Sequence, residues 1–270
     1  MARIAGPSKE RRHARIDNFH PAMPPRSLPL PPHRAYSLGL LLVYIVIWLL
    51  LALDPRHPRI WWLENILVGG FLGYLLISFR SMPLSRLSYT LIFLFLALHT
   101  VGAHYSYGEV PYNDWWRALT GRTLNEFMNW ERHNFDRLAH LCYGLFLAYP
   151  IRELFLRVAA VRGFWGYFLP LDLTLATSAM FELFEWAGAT WAGGELGRQY
   201  LATQGDRWDP QKDMLLAGIG ALVAMLLTLA VNAYRQRDFV RDWQESVSVK
   251  ESRPLGEESL VRSSDKSGGK

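Results

Sequence analysis

The sequence predicts an all-α, polytopic membrane protein: a bundle of about six transmembrane helices in one domain, flanked by two disordered tails. Three observations carry this expectation. Half of the 270 residues are hydrophobic, and they concentrate between Tyr36 and Tyr234. Within that stretch, six segments approach the roughly 20 largely apolar residues that a spanning helix needs. No repeat of fixed period, and no alternation of the kind that builds a β-barrel, runs through them.

The elements follow in order. Residues 1–34 are basic and rich in proline, which predicts a disordered tail; too many polar residues precede the first apolar run for a cleavable signal peptide. The spans are expected at Tyr36–Leu53, Ile60–Phe79, Leu87–Ala103, about Arg132–Ile151, Leu171–Thr190 and Met214–Tyr234. The transmembrane domain is thus residues 35–235. Residues 236–270, rich in Ser, Glu, Lys and Arg, read as a second disordered tail.

Charge sets the orientation. Arg80, Arg86, Arg152, Arg157 and Arg235 flank the spans on the side of the two tails, and the N-terminal tail adds seven more Lys and Arg. The opposite side holds fewer basic residues, so both termini are expected in the cytoplasm. The net charge of +5 then belongs to membrane-flanking arginines, and no aromatic–basic motif points to a nucleic-acid partner. Membrane lipids are the expected surroundings; the oligomeric state is left open. Cys142, the single cysteine, lies inside an apolar span and reads as an inert thiol.

Chain direction brings nine ionisable residues to one, outer, face: His99, His104, Asp136, His140, Glu182, Glu185, Asp206, Asp209 and Asp213. Ionisable groups at membrane depth are costly and therefore mark function by default. Asp136 and His140 are four apart, stacked on one helical face, and suit metal ligation or a carboxylate-oriented imidazole. Glu182 and Glu185 are three apart; two carboxylates this close repel unless a cation or a proton intervenes. Together these four are the candidate catalytic residues. Asp209 followed by Pro210 reads as a helix start, with Asp213 complementing the helix dipole, so Asp206 is preferred as the ligand of that segment. His99 and His104 are five apart and converge only if their helix ends near Gly102. The candidate metal set is His99, His104, Asp136, His140, Glu182 and Asp206, for which Zn or Mn suits the mixed imidazole and carboxylate donors. Arg137 and Arg207 are the candidate anion-binding residues. P-loop, dinucleotide, HExxH, GxSxG and CxxC patterns are missing from the sequence.

The ordered runs HTVGAHYSY, NFDRLAH, YPIRE, FELFEW and TQGDRWDPQKDM resemble the bacterial inner-membrane family typified by YjdF, across about residues 36–235. The resemblance implies a multi-pass plasma-membrane protein and no particular activity. More distantly, the Asp-x-x-x-His helix, the Glu-bearing helix and AspMetLeuLeuAlaGlyIleGly resemble the VanZ-like membrane proteins, whose pattern has Lys at the place of Arg137 and Gln at that of Glu185. That likeness implies a role at the cell envelope. Three function classes stay open: an outer-face site that binds or acts on a lipid or phosphate headgroup, with or without a divalent ion; a proton-coupled transporter; and a non-catalytic scaffold or partner-binding protein.

Overall fold

The computed structural model describes residues 31–250 apart from 202 and 236–238, with the side chains of 31–33 and 199 also left aside. The expected disordered tails, over 1–30 and 251–270, lie outside the described residues. Six long helices form the body: α1 (Pro31–Leu51), α2 (Pro58–Ser78), α3 (Arg86–Tyr105), α6 (Phe135–Val158), α7 (Trp165–Ala192) and α9 (Asp209–Arg235). Between them lie short helices: α4 (Tyr112–Thr120) and α5 (Leu124–Met128) before α6, and α8 (Gly194–Leu201) before α9; α10 (Phe239–Val247) follows the last long helix. The described residues contain no strand.

Helices α1, α2, α3 and α9 are long and apolar enough to cross a membrane by composition. Helices α6 and α7 have 24 and 28 residues, or about 36 and 42 Å at helical rise. What separates them from the other four is the polar load they carry: Asp136, Arg137, His140, Arg152, Glu153 and Arg157 on α6, and Asp172, Glu182 and Glu185 on α7.

Helix α6 runs past the expected end at Ile151, through Pro150 to Val158. The charged residues beyond the apolar run have partners inside the fold. The Arg152 guanidinium lies 4.7 Å from the Tyr167 ring centre. The Glu153 carboxylate accepts the Ser85 backbone N–H at 2.8 and 2.9 Å and the Ser88 hydroxyl at 2.6 Å. Ser85 is the N-cap of α3, its hydroxyl accepting from the Ser88 N–H at 3.2 Å. Glu153 thus satisfies N-terminal donors of α3 that would otherwise lack partners, and its charge suits the positive end of that helix dipole.

The tightest helix pair is α6 on α9, and small residues make it possible. Ala148, Ala217 and Ala221 have no exposed surface. A Cβ placed on Gly144 would overlap the Ala217 carbonyl and sit 2.7 Å from the Ala221 nitrogen; one on Gly220 would overlap the Leu141 carbonyl and sit 2.7 Å from the Leu145 nitrogen. Burial against another helix gains nothing over burial in lipid, so membrane helices associate by such close approach. Helix α7 packs on both members of this pair, α3 packs on α6, and α1 and α2 pack on α3. Much of the surface of α1, including Leu42, Val46 and Leu50, stays exposed, as a lipid-facing helix requires.

One expectation is corrected at the C-terminal end. Residues 239–247, read as part of a disordered tail, form α10, which docks beside the start of α7. Phe239 and Trp243 lie one turn apart and pack with Tyr167, while Ser246 accepts the Phe164 N–H at 2.9 Å through its hydroxyl and the Trp165 indole N–H at 2.9 Å through its carbonyl. The polar composition of the segment hid a single apolar face.

The alternating helix directions give the bundle two unlike ends. The α1–α2 turn, the α3–α6 and α7–α9 connections and the carboxylates share one end, while Arg80, Arg86, Arg157, Arg235 and α10 share the other.

Candidate functional site

The rim of the carboxylate end is an ion-pair network. Arg132, two residues ahead of the N-cap of α6, grips Asp209 in a fork: Nη1 meets Oδ1, and Nη2 meets Oδ2 at 3.0 Å. Arg137, in the first turn of α6, donates to Asp206 Oδ2 at 2.8 Å, to Asp209 Oδ1 at 3.3 Å and to Asn134 Oδ1 at 3.3 Å. Lys212 also meets Asp206. Lys212, the Trp208 N–H and then Arg137 hold the Asp206 carboxyl down at about 2. The loop below is braced by His133, whose Nε2 bonds the Val110 carbonyl at 2.7 Å, and by Tyr112, whose hydroxyl donates to Asn125 Oδ1 at 2.7 Å. Burial lowers the His133 pKa, so its ring serves as a neutral brace.

Beneath the rim, three helices converge. His140 Nε2 lies 3.7 Å from Asp136 Oδ1 on its own helix and 3.4 Å from Glu182 Oε1 on α7. Asp213, in the second turn of α9, completes a group: one ligand atom each from Asp136, His140 and Asp213 lie within 4.8 Å of one another. His140, Glu182 and Asp213 are 7%, 9% and 2% exposed, so these are interior groups. Glu64, Ser178, Glu182 and Asp213 each keep a buried side-chain oxygen without a hydrogen bond. Native interiors rarely leave such atoms unpaired, and each one calls for an explanation. Glu64 is within electrostatic range of Asp136, and Glu185 is within range of Asp136, Glu64, Glu182 and Asp213. Ser178, Glu182 and Glu185 recur at four and three residues, which places them on one face of α7.

The structure sorts the expected residues. It brings Asp136, His140, Glu182 and Glu185 together. It keeps His99 nearby on α3, where its Nδ1 meets the Tyr107 hydroxyl at 2.5 Å. Burial, and then the Glu64 and Asp136 carboxylates, push the Tyr107 phenol well up, so it stays protonated. His104 goes elsewhere: its Nδ1 bonds the Leu51 carbonyl at 2.7 Å and holds the α1–α2 turn. The helix end near Gly102, needed for His99 and His104 to converge, does not form; α3 continues to Tyr105. Gly102 is instead where the Tyr107 ring crosses the helix, with 2.6 Å between that ring and any added Cβ. Asp206 and Arg137 are tied to each other in the rim network, where Arg137 also meets Asp209, so Asp206 is no ligand of the interior group. Arg207 is exposed and stacks 4.7 Å from the Trp208 ring centre. Asp213, read from the sequence as a helix-dipole residue, stands where Asp206 was expected. Four-residue steps from Asp209 would have suggested it: Asp209, Asp213 and Ala217 share one face, and that face is buried.

Residues 36–234 match the family described as "Predicted membrane protein (DUF2238)". The chain belongs to this family. It is also similar to "Inner membrane protein YjdF" of Escherichia coli (strain K12), at 35% identity over 207 residues, which cover 76% of this chain and 91% of that protein. No solved structure matches. The family match runs from α1 to the end of α9 and so contains every residue of the site. Family membership and the apolar helices agree on a multi-pass protein embedded in lipid.

Proposed function

We propose that this is an inner-membrane protein with both termini in the cytoplasm, whose outward end holds a divalent ion on Asp136, His140 and Asp213 and uses it to bind or act on a phosphate-bearing headgroup. The observation that carries this reading is the pairing of those three ligand atoms with unbonded buried oxygens on Glu182, Asp213 and Glu64. The rim arginines make their hydrogen bonds to Asp206 and Asp209 and reach the inner carboxylates only at longer range. A bound ion would relieve the repulsion that remains among the inner carboxylates. Two carboxylates and an imidazole suit Zn or Mn and leave coordination positions for water and a phosphate oxygen. Glu182, 3.4 Å from His140, is placed to hold or move a proton beside that ion. The YjdF relative supports the inner-membrane setting, and the VanZ analogy supports an envelope role without naming a reaction.

Two measurements test this. Detergent-purified protein is expected to carry a divalent metal and to gain stability when the ion is added, by about 2.7 kcal/mol at a hundredfold excess over Kd. Glu182→Gln keeps hydrogen-bonding capacity but removes charge; it is expected to fold while losing part of that gain. Wild-type protein with no metal and no gain would sink the ion site. Reporter fusions within α4 and after α10 are expected to lie outside and inside the cell, respectively; the reverse result would reject the orientation.

A further inference from the structure

Below the carboxylate cluster, a cavity of about 380 Å³ lies between α2, α3, α6 and α7. Its wall on α6 runs from Asp136 to Leu154, about 27 Å at helical rise, close to the roughly 30 Å of a hydrocarbon core. The cavity is therefore elongated along the bundle axis, lined by α6 over most of the depth of a bilayer core. Most of the wall is apolar, with Phe71, Leu96, Leu147 and Ile151 among its residues. Two hydroxyls along it are already satisfied: Tyr143 pairs with Thr177 at 2.6 Å, and Ser78, at the far end of α2, bonds back to the Tyr74 carbonyl at 2.8 Å. Ser178 is a buried wall hydroxyl left without a bond, and it lies one turn from Glu182, at the top. The slot is therefore apolar along its length and polar at one end. It is also reachable from lipid. Helix α2 packs mainly on α3, and its wall residues Leu67 and Tyr74 are 42% and 49% exposed.

Water gains no partners in such a slot, and a soluble phosphate would leave it empty. The geometry points to a lipid: we propose that the slot seats a long hydrocarbon chain of a lipid monophosphate whose head lies at the Asp136, His140 and Asp213 site. This rests on the headgroup reading above and adds the class of substrate to it. The chain enters sideways between α2 and α7, and the length of the wall suits a chain that reaches past the bilayer midplane. Hydrocarbon gains no hydrophobic energy by leaving lipid for the slot, so selectivity comes from the head and from fit.

The test uses the full chain, loaded with Zn, in phosphatidylcholine nanodiscs, with hexadecyl phosphate carrying a photoactivatable diazirine at its chain end. Cross-links are expected on α6 between Leu147 and Leu154 and on the facing turn of α2. Unlabelled hexadecyl phosphate should compete them away, and hexadecyltrimethylammonium should not. Ile151→Trp, about 16 Å below His140 along the helix, should cut slot labelling at least tenfold while leaving bound metal and inorganic phosphate binding unchanged. Leu75→Trp, from the α2 wall, should do the same if Ile151→Trp proves unstable. Labels spread over the lipid-facing surfaces of α1 and α9, indifferent to either tryptophan, would overturn the slot while phosphate binding still upheld the ion site. Absence of both metal and phosphate binding would overturn the headgroup reading, and the slot proposal with it.

Discussion

Asp213→Asn is expected to lower divalent-ion affinity by on the order of 100-fold, or about 2.7 kcal/mol, without unfolding the protein. Asp213 is 2% exposed, and its Oδ1 has no hydrogen bond. It belongs to the one three-residue ligand group among the described residues. An isosteric amide at this position therefore gives up the charge that an ion needs while keeping the shape of the side chain. The metal-free variant should be at least as stable as metal-free wild type, because a neutral amide is cheaper than a carboxylate at membrane depth. Asp206→Asn supplies the contrast. Its carboxylate is saturated by Arg137, Lys212 and the Trp208 N–H, so this variant should loosen the rim and keep the ion. Metal content of the two purified variants, measured side by side, decides the matter. Equal losses would mean that the rim, rather than the interior group, holds the ion.

Gly220→Leu is expected to destabilise the bundle by about 3 kcal/mol or more, the upper range for overpacking, because the added atoms meet backbone rather than a movable side chain. Any Cβ there overlaps the Leu141 carbonyl. Helices α6 and α9 would have to separate, and with them Asp136 and His140 from Asp213. Loss of the thermal transition and loss of bound metal should therefore appear together. Gly39→Leu on α1 meets nothing within 4 Å and should behave as wild type. A Gly220→Leu protein that melts normally would show that the α6–α9 contact is not what holds the site.

The same two helices show how far the sequence could be read. Asp136 and His140, and Glu182 and Glu185, were legible as pairs because helical spacing alone puts them on common faces. The membership of Asp213 was not, since Asp-Pro at a helix start explains the local acidic residues without any ligand. Arg137 and Asp206 carried the right charges for an anion and a cation, but which charges cancel depends on a loop folding back across 69 residues. Glu153 was masked in the same way: its role at the α3 N-terminus exists only once α6 lies beside it.

The sequence by itself determined the all-α membrane class, the six long helices and the end of the bundle at which the ionisable groups gather. Apolar run length and chain direction are properties of the chain, and lipid leaves the backbone little alternative to helix. Only the tertiary structure decided which charges are spent and which remain available. It placed Gly144 against α9 and Gly220 against α6, and so brought Asp213 to Asp136 and His140. It also turned His104 outward to the α1–α2 turn, and left a slot where α2 stands off from α7. Those outcomes depend on approach distances of a few ångströms between helices far apart in sequence, and no local pattern in the chain encodes them.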